Sequence, residues 1–152
     1  MIQINDFTYQ QDTYYYDLET YFVKNGTDNY LYIERTAESD YRSVGVYKIT
    51  PDEVSYIGEF GGGIGRFTNG RNFEIIRRVD LLSTYSVIVD SYMGEDGMPV
   101  AYGDVYEVEY AFTLTSIAPI EAELTDGNGN LTGETCVFPE GTNFTFVRTD
   151  GE

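Results

Sequence analysis

The chain has no histidine, one cysteine, and 26 acidic residues against 9 basic ones. Without histidine the commonest general base is missing. The Ser-His-Asp and Cys-His arrangements and the usual zinc ligand sets go with it. Cys136, in Thr135-Cys136-Val137-Phe138, reads as a small buried hydrophobe, because a nucleophilic thiol normally needs a His partner. Alone, it also leaves no intrachain disulfide. A glycosidase would need two carboxylates across a cleft, but 26 acidic residues offer too many pairs to single one out. These absences predict a protein that is not an enzyme and holds neither metal nor cofactor.

Several short segments invite a ligand reading. Gly61-Gly62-Gly63-Ile64-Gly65 fits neither G-x-x-x-x-G-K-[ST] nor G-x-G-x-x-G, and no helical pattern follows it. A flexible crossing or bulge after a strand is expected there. Asp126-Gly127-Asn128-Gly129-Asn130 starts like a calcium loop. The EF-hand pattern requires Gly at its sixth position and Glu at its twelfth, where Leu131 and Val137 stand, so a hairpin loop is expected. Arg66, Arg71, Arg77 and Arg78 form the only basic cluster, read as solvated or acid-paired arginines with a small anion site as the alternative. Asn25-Gly26-Thr27, Asn130-Leu131-Thr132 and Asn143-Phe144-Thr145 fit the glycosylation pattern, which Asn-rich turns followed by Thr produce by chance.

The tyrosines are the more distinctive feature: 15 of them, with 9 Phe and no Trp. Tyr14 and Tyr16 fall on one face of a strand, and Tyr30 and Tyr32 on one face of the next. If that face is open, these four would offer a stacking surface to sugar rings or a peptide. Packing within a sheet, with the hydroxyl wet, is the competing reading. A net charge of −17 repels phosphate backbones and lacks the cations that nucleic-acid binding needs. No stretch of about 18 apolar residues is present for membrane insertion. Met1 to Asp6 lacks the basic start and apolar run of a secretory signal.

The elements that position these residues read as strands, since Tyr, Phe, Val, Ile and Thr suit a pleated, half-buried surface. Thr13–Val23, Tyr30–Glu34, Val44–Ile49 and Val54–Phe60 are separated by an Asn25-Gly26 hairpin signal, a polar loop and a Thr50-Pro51 turn. Together they predict an antiparallel meander. Asn72–Leu82 is open to strand or short helix, and strand is preferred because β-branched residues cluster there. Tyr85–Tyr92 and Asp104–Thr115 read as extended. Ile120–Leu124 alternates apolar and acidic, Leu131–Phe138 returns, and Asn143–Thr149 alternates again.

Leu124-Thr125-Asp126-Gly127-Asn128-Gly129, Phe138-Pro139-Glu140-Gly141-Thr142 and Phe144 to Glu152 resemble the end of uncharacterised exported proteins of gut Firmicutes. Leu82-Ser83-Thr84-Tyr85 and Gly94-Glu95-Asp96-Gly97-Met98-Pro99 resemble segments of the same proteins. The terminal unit is also similar to bacterial Src-homology-3-like (SH3-like) small barrels, in which a Pro/Leu-x-Gly-Thr turn precedes a core strand. The resemblance implies an extracellular or cell-envelope location and a signal-bearing or lipid-anchored precursor, and it implies no catalytic residues.

The fold expected is all-β: a meander domain over residues 1–108, then a small SH3-like barrel or half-barrel over 109–152, with a single β domain as the alternative. The function expected is a non-catalytic binding or spacer module of an exported bacterial cell-surface protein. Carbohydrate binding through surface tyrosines is the alternative. The partner would be a protein or glycan at the cell surface, and the chain a monomer or a weak homodimer paired through an open sheet edge.

Overall fold

The computed structural model is almost entirely strand, with fourteen strands and one 3-10 turn, Glu38–Asp40, among the described residues. It describes the backbone of residues 2–4, 7–9, 15–81, 83–126 and 128–150, and side chains from residue 17 onward apart from 69, 81 and 83. No helix among them is long and apolar enough to cross a membrane. The chain divides into two compact units, Met1–Glu109 with Arg148–Glu152, and Tyr110–Val147.

In the first unit, β1 (Ile2–Ile4) and β2 (Phe7–Tyr9) pair with each other. β3 (Tyr15–Asn25), β4 (Asp28–Ala37), β5 (Arg42–Ile49) and β6 (Val54–Gly61) form an antiparallel meander in sequence order. A second sheet follows from β7 (Gly63–Asn69), β8 (Asn72–Leu81), β9 (Ser83–Met93), β10 (Pro99–Ala101) and β11 (Tyr106–Thr115). β7, β8, β9 and β11 lie side by side in that order, and β10 pairs with β9. The stretch from Asn72 is a strand, not a helix. The glycine run departs from expectation: only Gly62 lies outside a strand, because Gly63-Ile64-Gly65 opens β7.

The core of this unit lies between the two sheets. Tyr30, Tyr32, Val44 and Val46 of the meander are buried with Phe73, Ile75, Val87, Val89 and Met93 of the second sheet. The Tyr32 ring meets Phe60 and Phe73 edge-on at 6.1 and 6.0 Å. Such aromatic pairs add roughly 0.5–1.5 kcal/mol each beyond area burial. β4 is buried on both faces over Tyr30–Glu34.

In the second unit, β12 (Ile120–Thr125) and β13 (Leu131–Phe138) form a two-stranded antiparallel sheet. The chain returns to the first unit within β14 (Asn143–Thr149), which lies beside β11. Phe112 packs on Phe146 at 5.2 Å and Phe138 on Phe144 at 5.2 Å. Ser116 is buried and ties the Pro139-Glu140-Gly141-Thr142 turn: its Oγ donates to the Pro139 carbonyl and accepts from Thr142 N–H, both at 3.1 Å. The described strands form no closed barrel, since β12 and β13 pair only with each other.

Candidate functional site

Side chains alternate across a strand, so the meander presents two faces, and of the sequence-derived candidates Tyr30 and Tyr32 lie on the inner one. Tyr30 and Tyr32 are 1% and 0% exposed. The Tyr30 hydroxyl donates to the Glu95 carbonyl at 3.3 Å and that of Tyr32 to the Gly97 carbonyl at 2.5 Å. Burial raises the Tyr32 hydroxyl well above its ordinary pKa, with Tyr30 and Asp96 adding to the shift. The loop between β9 and β10 closes over both rings. Gly97 sits against Tyr30 with φ +86°, and a Cβ there would lie 2.3 Å from a ring carbon. These two tyrosines are core and offer no stacking surface. Tyr14 and the side chain of Tyr16 lie outside the described residues.

The outer face carries a different row. Phe22 pairs with Leu31, Leu31 with Tyr47, and Tyr47 with Tyr56 in cross-strand register. Directly paired residues share a face, so the four form one line across β3, β4, β5 and β6. Phe22 is 67% and Tyr56 58% exposed, while Leu31 between them is buried. The Tyr47 and Tyr56 rings lie 5.4 Å apart. Tyr47 is held low on the sheet because Gly45 leaves room for it, with the ring 3.3 Å from where a Cβ would stand. A register shift between Val46 and Tyr47 aligns Tyr56 with Tyr47. Thr20 and Asn29 neighbour the row, and Arg35 pairs with Glu59 at its margin. The sequence signal for this row was available in the residue types, but only the register assembles it.

Glu34 is the one buried carboxylate among the described residues, at 3% exposure. Its Oε2 accepts from Ile64 N–H at 2.8 Å and from the Tyr21 hydroxyl at 3.4 Å, and its Oε1 lies 3.6 Å from an Arg42 nitrogen. Burial raises its pKa, against the Ile64 hydrogen bond and Arg42, which lower it; Glu19 raises it further. Gly63 permits the approach, since a Cβ there would lie 2.5 Å from Oε1. Tyr21 also donates to Glu19 at 2.6 Å. Two carboxylates thus share one hydroxyl, but Glu34 is enclosed and both its oxygens are engaged. The arrangement clamps the start of β7 to β4.

A cavity of about 310 Å³ opens where the turn after β4 approaches the glycine crossing and the β8–β9 hairpin. Arg42, Arg77 and Arg78 line it, with Tyr85 and Ser86. Arg42 pairs with Asp40 at 3.0 Å, and Arg78 pairs with Asp80 at 3.1 Å and donates to the Ser39 carbonyl at 3.0 Å. The Arg77 guanidinium lies 6.0 Å from the Tyr106 ring centroid. The turn is strained: Ser39 and Asp40 have φ of +61° and +57°. Such left-handed backbone costs on the order of 1–3 kcal/mol per residue and persists where surroundings impose it. Of the other basic-cluster members, Arg66 pairs with Glu74 at 2.7 Å and Arg71 donates to the Met93 carbonyl at 2.8 Å.

Asp126 is committed to its own turn. Its Oδ1 accepts from the N–H groups of Asn128 and Asn130 at 2.8 and 2.9 Å, and its Oδ2 accepts from Asn130 Nδ2 at 3.0 Å. These bonds, Asn130 first, hold its carboxyl below the ordinary aspartate value.

The fold and these surfaces define an all-β protein of antiparallel sheets with a tyrosine core. Compared with known proteins, the chain matches no family model, no curated protein and no solved structure.

Proposed function

We propose that the chain is a non-catalytic binding module of an exported bacterial cell-surface protein, and that the row Phe22–Leu31–Tyr47–Tyr56 receives a neutral glycan. The observation that carries this reading is the pair of exposed rings at the ends of the row, Phe22 and Tyr56, which stand on a hydrogen-bonded sheet. Phe and Tyr give broad apolar contact with only two side-chain torsions to order, so little entropy is lost on binding. The C–H faces of pyranose rings present the complementary surface, and the tyrosine hydroxyls and neighbouring Asn29 can bond sugar hydroxyls. No charged side chain lies within the row, so nothing in it selects for a charged sugar.

A non-catalytic reading is supported by the absence of histidine and by the enclosure of Glu34. The cell-surface location is supported by the resemblance of the Gly94–Pro99 and terminal segments to exported proteins. An SH3-like half-barrel for the second unit is supported by the Pro139–Thr142 turn leading into β14.

The test is affinity electrophoresis against neutral β-glucan, xylan, mannan and starch. At least one should retard the wild type. Tyr56→Ala and Phe22→Ala, both at exposed positions, should abolish the retardation without changing the melting temperature. Retardation that survives both substitutions would remove the row from the account.

A further inference from the structure

We infer that the arginine-lined cavity of the first unit is a second ligand site, taking a sugar carboxylate such as a uronic acid residue. In a chain with 26 acidic and 9 basic residues, a cation would be expected to find a carboxylate. Arg35, Arg42, Lys48, Arg66, Arg78 and Arg148 do. Arg77 makes no ion pair among the described residues, yet it lines a cavity. Its guanidinium is steadied by the Tyr106 ring, a contact that orients a cation without neutralising it.

Arg42 and Arg78 stand beside it, each fixed by a partner: Asp40 holds Arg42, while Asp80 and the Ser39 carbonyl hold Arg78. With those two guanidiniums engaged, the Arg77 fork is the one left to meet a planar carboxylate. The strained Ser39-Asp40 pair, pinned by Arg78, forms one wall. Strain of this kind gathers at ligand clamps. Ser86 of the β8–β9 hairpin also lines the cavity, and about 310 Å³ accommodates one sugar ring. The net negative charge does not forbid an anion here, because exposed charges are screened beyond about 8 Å at physiological ionic strength.

This site is separate from the aromatic row and can fail or stand without it. The experiment is calorimetric titration of the full chain with sodium glucuronate, with glucose and inorganic phosphate as parallel arms. Glucuronate should bind with a dissociation constant of about 1 mM or tighter, and glucose should not. Arg77→Ala, at an exposed position, should weaken glucuronate by about tenfold or more, the scale of one charge-assisted hydrogen bond. Arg77→Lys should recover only part of that loss because the fork is gone. Tyr56→Ala should leave it unchanged. No binding of glucuronate, equal binding of glucose, preference for phosphate, or full binding by Arg77→Ala would each overturn the inference.

Discussion

Replacing Gly97 by alanine should destabilise the first unit through two separable effects. An alanine Cβ would lie 2.3, 2.6 and 2.9 Å from Tyr30 ring atoms, and that ring is buried and held by its bond to the Glu95 carbonyl. Neither partner can retreat, so overpacking of about 1–3 kcal/mol is expected. The φ of +86° adds about 1–2 kcal/mol for a residue carrying a Cβ. The sum is about 2–5 kcal/mol, which at about 2–4 °C per kcal/mol lowers the melting temperature by roughly 4–20 °C. Gly26→Ala is the control: its φ is +62°, but nothing lies within 4 Å of the new Cβ, so it reports the backbone cost alone. Urea unfolding followed by tyrosine fluorescence would give both free energies. Equal losses for the two variants would refute the claim that the 94–98 loop seals the tyrosine core.

Three further outcomes follow from named groups. Tyr32→Phe removes the hydroxyl that the Gly97 carbonyl accepts from and should cost roughly 1–3 kcal/mol in the same unfolding assay, because that carbonyl is left unpaired. Glu34 has a raised pKa, so its stabilising contribution is full below the ordinary value of 4.5 and is lost as pH rises through the folded value. Wild type should therefore gain stability relative to Glu34→Gln as pH falls from 7 toward 4.5, and a flat or inverted difference would contradict the enclosure of Glu34. The depressed carboxyls of Asp80 and Asp126 act with the opposite sign and below this window. Calcium should leave the melting temperature unchanged, since the Asp126 oxygens already hold the turn; a rise would show that the loop opens for the ion.

The all-β class and the meander were legible because residue type and turn chemistry agree: Asn25-Gly26 and Thr50-Pro51 mark turns between runs of Tyr, Val and Ile. The direction of Tyr30 and Tyr32 was not legible. β4 is covered on both faces, so Tyr30-Leu31-Tyr32-Ile33 reads as one apolar run without an inside and an outside. What settles it is a loop some 65 residues away, where the Glu95 and Gly97 carbonyls meet the two hydroxyls. β7 was hidden because glycine carries no side-chain pattern, and Gly63 answers to Glu34, which is remote in sequence. The outward row depended on register as well. Without the shift between Val46 and Tyr47, Tyr56 would turn to the opposite face, since a one-residue slip inverts a strand.

The binding role of the row is tested most directly by mapping amide chemical-shift changes while titrating soluble fragments of the neutral polysaccharides. Changes should concentrate at Phe22, Leu31, Tyr47 and Tyr56 and their strand neighbours, with Tyr30 and Tyr32 unmoved. No change with any fragment, or changes centred away from this row, would contradict it.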